Sequence, residues 1–197
     1  NATSLTSITI PNSVTTIGEY AFYGATSLTS ITIPNSVTTI GYMVFRNATS
    51  LTSITIPNSV TTIGKGAFYN ATALTSVTFE ADSVLESIGA SAFYGATSLT
   101  SITIPDSVTT IGAGAFYGAS ELKSITFAGN APSVGSRAFN NVGADLVVNV
   151  NFAATGFGTA TTWNVRIDKI LICWITAYCA CFNVVVIFFT YIFPLFN

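Results

Sequence analysis

Histidine is absent from this sequence, which removes the commonest general base and a leading zinc ligand. Cysteine is confined to Cys173, Cys179 and Cys181, so the body of the chain has neither a disulfide framework nor a thiol ligand set. Its redox compartment is therefore not legible. Charge is scarce: 7% of the 197 residues are charged, against about 25% in typical soluble domains. The six cations, Arg46, Lys65, Lys123, Arg137, Arg166 and Lys169, are scattered, and the net charge is -2. A phosphate backbone needs clustered cations, so nucleic acid is excluded as an expected partner. The many Ser hydroxyls have no His and no obvious Lys to activate them, so no enzyme, cofactor or resident metal is expected.

Thr, Ser and Asn replace the missing charges, and half of the residues are hydrophobic, with 13% aromatic. That balance argues against intrinsic disorder. The order of these residues is a repeat. The string Ala-Thr-Ser-Leu-Thr-Ser-Ile-Thr-Ile-Pro-Asn-Ser-Val-Thr-Thr-Ile-Gly begins at Ala2, Ala25 and Ala48, and returns at Ala96 with Asp106 in place of Asn. Leu5, Leu28, Leu51, Leu74, Leu99 and Leu122 lead six units spaced 23, 23, 23, 25 and 23 residues apart. Phe22, Phe45, Phe68, Phe93, Phe116 and Phe139 close them.

Within a unit, Ile8 and Ile10 alternate with hydroxyl residues, as in a strand with one buried face. Thr, Ile and Val suit that surface, and Pro11-Asn12-Ser13 ends it. Parallel strands are expected at 5–10, 28–33, 51–56, 74–79, 99–104 and 122–127. Val14, Ile17 and the Ala21-Phe22 pair are expected to turn inward, with Val44-Phe45 the variant of that pair. The residue after the second Ile is Gly in all six units, from Gly18 to Gly135. The residue two after Phe is Gly24, Asn47, Asn70, Gly95, Gly118 or Asn141, with Asn1 in the same slot. Gly and Asn tolerate a left-handed backbone, so this slot is expected to have positive φ and to cap a short helical turn. A lone unit buries too little to fold, which is why such units stack.

The pattern Leu-x-x-Ile-x-Ile-Pro-x-x-Val-x-x-Ile-Gly-x-x-Ala-Phe resembles the BspA-type leucine-rich repeats of bacterial and protist surface proteins, from Asn1 to about Val142. That family often has Cys three residues after Phe, where this chain has Ala25, Ala48, Ala71, Ala96 and Ala119. The resemblance implies a mainly β solenoid, a leucine-rich-repeat horseshoe with one parallel strand per coil and short helical or turn segments on the outer side. It also implies surface exposure, with adhesion or binding of a protein or glycan.

Three regions are expected: six repeats over 1–143, a C-terminal cap over 144–167, and a hydrophobic tail over 168–197. Residues 145–150 read as a last strand. The tail contains no Gly and no Ser, and its run from Ile170 to Phe193 is uncharged. At about 36 Å as a helix it could span a membrane. The competing reading is an unrelated C-terminus, such as translation past a frameshift or splice junction. Arg166 and Lys169 precede the run and no charge follows, which would keep the repeats cytoplasmic and argues weakly against the surface location. The chain also begins in mid-pattern without Met, the look of a fragment.

The candidate binding face is the outward side of the strands: Thr6, Ser7, Thr9, Thr29, Ser30, Thr32, Thr52, Ser53, Thr55, Thr100, Ser101 and Thr103. These positions barely change from coil to coil, which suits a repetitive target such as a glycan. Variation sits instead at 19–20, 42–43, 65–66, 90–91, 113–114 and 136–137, so the outer flank is a second surface for recognition. A structural spacer and an ice or crystal-surface binder using the Ser-x-Thr ladder are the alternatives, although a curved sheet suits a flat ice face poorly. The sequons at Asn1, Asn47 and Asn70 are explained by backbone geometry without glycans. Glu80, Asp82 and Glu86 read as a solvated loop rather than a calcium site, and Cys179-Ala-Cys181 as apolar filler. Tyr23, Tyr69, Tyr94 and Tyr117 are expected to stack along the outer flank.

Overall fold

A computed structural model describes residues 2–150 and Thr155. The chain winds as a parallel β-solenoid whose coils each advance by one sequence repeat. The expected strands form, but shorter. They are β3 (Ser53–Ile56), β5 (Ser76–Phe79), β7 (Ser101–Ile104), β9 (Ser124–Phe127) and β11 (Val147–Val150). They make a five-stranded sheet in the order β11-β9-β7-β5-β3. The strands β3, β5, β7 and β9 begin two residues after the leading Leu, because that Leu still belongs to the preceding turn. Leu51 N–H donates to the Ala48 carbonyl at 3.2 Å, and Leu74 does the same to Ala71 at 3.1 Å. In the first two coils the strand shrinks to one parallel bridge, Thr9↔Thr32. The expected last strand is present as β11, in register with β9 from Val147↔Ser124 to Val150↔Phe127.

A second sheet was not expected. After the Pro turn, each coil makes a two-residue strand: β1 (Thr16–Ile17), β2 (Thr39–Ile40), β4 (Thr62–Ile63), β6 (Ser87–Ile88), β8 (Thr110–Ile111) and β10 (Ser133–Val134). They pair in the order β1-β2-β4-β6-β8-β10. Two residues are too few to show an alternation, so only stacking reveals them. The outer side carries turns; among the described residues no segment there is helical.

The core lies between the two sheets and the turns. Its spine is a column of phenylalanines, Phe22, Phe45, Phe68, Phe93, Phe116 and Phe139. Successive ring centroids lie 5.1–5.3 Å apart, and the planes are within 12° of parallel. Identical side chains one repeat apart in parallel register leave this offset stacking as the natural packing. Leu28, Leu51, Leu74, Leu99 and Leu122 are fully buried beside it, as are Ala48, Ala71, Ala96 and Ala119 in the slot where the resembled family often has Cys. The first coil departs from expectation. Ile8 is 38% exposed, Ala21 is exposed and Val14 is only partly buried. Among the described residues this coil has a neighbour on one side alone.

The left-handed slot is as expected: φ is 67° at Gly24, 60° at Asn47, 55° at Asn70, 69° at Gly95, 75° at Gly118 and 55° at Asn141. This accounts for the sequon residues Asn47 and Asn70 without glycans; Asn1 lies outside the described residues. A second left-handed slot, four residues earlier, was not foreseen. It holds Tyr20, Met43, Gly66, Ser91, Gly114 and Arg137, with φ of 51–64°. Only two of these are Gly, so composition did not reveal it. The invariant Gly after the second Ile has a different cause, since none of these six glycines has positive φ. It is required where one coil's backbone presses on the next.

The two-residue insertion folds back on the coil before it. Glu80 Oε2 accepts from Asn58 N–H at 3.2 Å, and Asn58 Nδ2 donates to the Ala81 carbonyl at 3.3 Å. Beside it, pairing between β5 and β7 narrows to Ser76↔Ser101. The cap beyond Val150, except Thr155, and the whole 168–197 tail lie outside the described residues, as does the membrane reading of 170–193. Among the described residues no helix is long and apolar enough to cross a membrane.

Candidate functional site

The twelve expected face residues are all exposed, and four of them, Ser53, Thr55, Ser101 and Thr103, lie in the five-stranded sheet on the side turned away from the core. Alternation along Ser-Ile-Thr-Ile puts Ile54 and Ile56 inside and Ser53 and Thr55 outside, and β7 repeats that division. Parallel register then stacks like on like. Ser53, Ser76, Ser101 and Ser124 form one row; beside it Thr55 pairs with Thr78 and Thr103 with Thr126, with the register between these two pairs interrupted at the insertion.

The hydroxyls of these rows differ in availability. Those of Ser53, Thr55, Ser76, Thr78, Ser101 and Thr103 make no hydrogen bond among the described residues, and remain open to a partner. The row beginning at Thr6 is partly committed to the fold. Thr29 Oγ1 donates to the Thr6 carbonyl at 3.4 Å, Thr52 to Thr29 at 3.4 Å, and Thr75 to Thr52 at 2.9 Å. At the far end, Asn149 Nδ2 donates to Ser124 Oγ at 3.1 Å and thereby occupies it. Ser7, Ser30, Thr9 and Thr32 are exposed, but their segment carries one bridge rather than a strand.

The acidic residues of the insertion do not converge. Glu80 is bonded to Asn58, Asp82 sits at φ 57° in the turn, and no metal-holding cluster occurs among the described residues. One ion pair is present there, Lys123 with Glu121 at 4.0 Å, too exposed to contribute much stability.

The outer flank carries what the repeat pattern alone did not reveal. Tyr69, Tyr94 and Tyr117 stack as expected, with centroids 4.6 and 4.9 Å apart, and Asn141 Nδ2 donates to the Tyr117 hydroxyl at 2.8 Å. Arg46 occupies the tyrosine slot of the second coil. Its guanidinium lies over Tyr23 at 5.8 Å and Tyr69 at 4.6 Å, so the column continues through a cation between two rings. Next to it, Tyr20, Tyr23, Tyr42, Met43 and Arg46 line an open cleft of about 480 Å³. Tyr20 meets Tyr42 edge to face at 5.1 Å and 84°, and Tyr23 at 5.8 Å. Hydrogen bonding to the Tyr42 phenol chiefly holds Tyr20 above the ordinary tyrosine pKa, with partial desolvation adding to the effect. The signal was present in the sequence: the 23-residue register places Tyr20 against Met43 and Tyr23 against Arg46. Register alone does not set the side-chain directions that bring these residues together.

Comparison with known proteins agrees with this geometry. The family model for the BspA type leucine rich repeat region matches in six copies, over residues 1–96 and 86–153. Among solved structures, the chain is similar to a leucine-rich repeat protein of T. pallidum, with 28% identity and a TM-score of 0.64. That match covers 75% of this chain and 70% of the other. A leucine rich cell surface protein of Faecalibacterium prausnitzii is also 28% identical, with a TM-score of 0.59, covering 82% of this chain and 50% of its own. A leucine-rich repeat protein of Eubacterium ventriosum is 26% identical, with a TM-score of 0.61 and coverage of 79% and 45%. The chain thus spans half or less of the last two proteins. Among curated proteins, none matches the sequence. The six stacked 23-residue coils and the family match together show that the chain belongs to the BspA-type leucine-rich repeat family.

Proposed function

We propose that this chain is a non-enzymatic binding module that presents the Ser/Thr face of its five-stranded sheet to a protein or a repetitive glycan at a cell surface. The observation that supports it most is the in-register serine row, flanked by paired threonines. At Ser53, Thr55, Ser76, Thr78, Ser101 and Thr103 the hydroxyls are exposed and uncommitted. Rows one strand spacing apart, about 4.8 Å, suit a ligand that repeats, because each coil adds the same weak contact and the contacts sum. The chain's similarity to a leucine rich cell surface protein of Faecalibacterium prausnitzii supports the location. The absence of His and of an activated nucleophile favours binding over catalysis.

The test is a glycan and protein array probed with the full chain and with a Thr55→Lys, Thr103→Lys variant. Both positions are exposed and lie two coils apart, so the new charges leave packing alone. Binding lost in the variant while circular dichroism is unchanged supports the reading. Binding that survives both substitutions overturns it. Thermal hysteresis without any array partner would instead favour ice-surface binding, and neither signal would leave the spacer role.

A further inference from the structure

Tyr20 and Met43 are large side chains held at φ 58° and 51°, in a slot where the third and fifth coils have Gly66 and Gly114. L side chains avoid this conformation, and strain of this kind gathers at functional sites. Both residues line the outer-flank cleft. Non-Gly residues fill this slot in four of the six coils, and at Tyr20 and Met43 they line one cleft. Arg46 lines the same cleft and departs from the column, replacing the tyrosine found at Tyr23, Tyr69, Tyr94 and Tyr117.

We propose that this cleft is a binding site for a carboxylate-bearing saccharide, with Arg46 as the anion contact and Tyr20, Tyr23 and Tyr42 as the platform for the sugar ring. Arg46 has donor capacity to spare. Its Nη1 reaches Met43 Sδ at 3.2 Å, and no carboxylate pairs with the guanidinium among the described residues. The rings on either side fix the guanidinium plane, and a planar fork held in place matches a carboxylate in bidentate fashion. Tyr20, 48% exposed and perpendicular to Tyr42, makes a corner of one ring face and one ring edge with two hydroxyls. Such a corner offers an apolar face and polar tips together, as a sugar does.

Between the two coils the backbone is already paired: Tyr20 N–H donates to the Tyr42 carbonyl at 2.9 Å, Phe22 to Val44 at 2.9 Å and Gly24 to Arg46 at 2.8 Å, so a peptide cannot insert as a strand between them. The cleft is open, so a ligand held there would keep one side in solvent, as a segment of a soluble oligosaccharide can. This site is separate from the hydroxyl face, so either reading can fail alone.

The experiment titrates the full chain with an oligomer of galacturonic acid, followed by tyrosine fluorescence and calorimetry. The carboxyl-reduced neutral oligomer and a short peptide with a free C-terminal carboxylate are run beside it. Two variants are matched to the repeat itself, so each should fold: Arg46→Tyr restores the tyrosine column, and Tyr20→Gly installs the residue of the third and fifth coils. The expected result is binding of the acidic oligomer, weakened by added salt. Arg46→Tyr should lower affinity at least about tenfold, as loss of a hydrogen-bonded charge pair does. Tyr20→Gly should weaken it while the melting temperature holds or rises, and the neutral oligomer should bind much less tightly. The proposal is overturned if the acidic oligomer does not bind, if Arg46→Tyr binds it as tightly as the parent, if the neutral oligomer binds equally well, or if the peptide binds more tightly than the sugar.

Discussion

Gly64 lies so close to Gly41 that a Cβ built on it would stand 2.6 Å from both the carbonyl carbon and the carbonyl oxygen of Gly41. The same approach recurs between Gly89 and Gly64, again at 2.6 Å. At Gly18 nothing lies within 4 Å. The invariant glycine is therefore a contact between coils rather than a requirement of its own turn. Backbone cannot retreat as the end of a side chain can, so a methyl here must push two coils apart.

Gly64→Ala should destabilise the solenoid by about 1–3 kcal/mol, the usual penalty of overpacking. Gly18→Ala should be neutral or slightly stabilising, because it meets no atoms and restricts the unfolded chain. Denaturant melts of the two variants read the difference. Equal midpoints would count against the contact explanation.

Asn47 should show the opposite dependence on backbone freedom. At φ 60° it tolerates Gly, whereas a β-branched residue is forced into a conformation it avoids. Asn47→Val should melt below Asn47→Gly by the equivalent of roughly 1–2 kcal/mol. Identical melting temperatures would refute the left-handed slot as the reason for Asn.

Phe93 stacks between Phe68 at 5.1 Å and Phe116 at 5.2 Å and is fully buried. Phe93→Ala should cost about 3–5 kcal/mol, from lost burial and from the cavity between two rings that cannot close on each other. Phe22 at the partly covered end of the column should cost less when cut to Ala. Calorimetric or denaturant unfolding of both variants checks the order.

Ser59 tests the hydroxyls that face inward to the fold rather than outward. Its Oγ donates to the Val37 carbonyl at 2.7 Å, as Ser36 does to Val14 at 2.7 Å. Removing the hydroxyl leaves a part-buried carbonyl short of a donor, so Ser59→Ala should destabilise by about 1 kcal/mol. Ser53→Ala, on the open face, should leave the melting temperature unchanged. A cost at Ser53 as large as at Ser59 would overturn the division between structural and available hydroxyls.

The sequence by itself determined the number of coils, their period, the inward Leu, Ile and Phe, the outward Ser and Thr, and the left-handed slot at Gly24 and Asn47. Each of these is written in residue type at fixed spacing, and residue type follows burial and φ directly. Only the stacked coils decided the rest. The short second sheet at Thr39–Ile40 and Thr62–Ile63 exists because a neighbour supplies its hydrogen bonds, not because two residues favour a strand. The glycine at Gly64 has a reason that lies in Gly41, 23 residues away. The left-handed conformations of Tyr20 and Met43 run against their own preferences and are imposed by the coil that surrounds them. The cleft between Tyr20 and Arg46 depends on side-chain direction across two coils, which a register places side by side but does not aim.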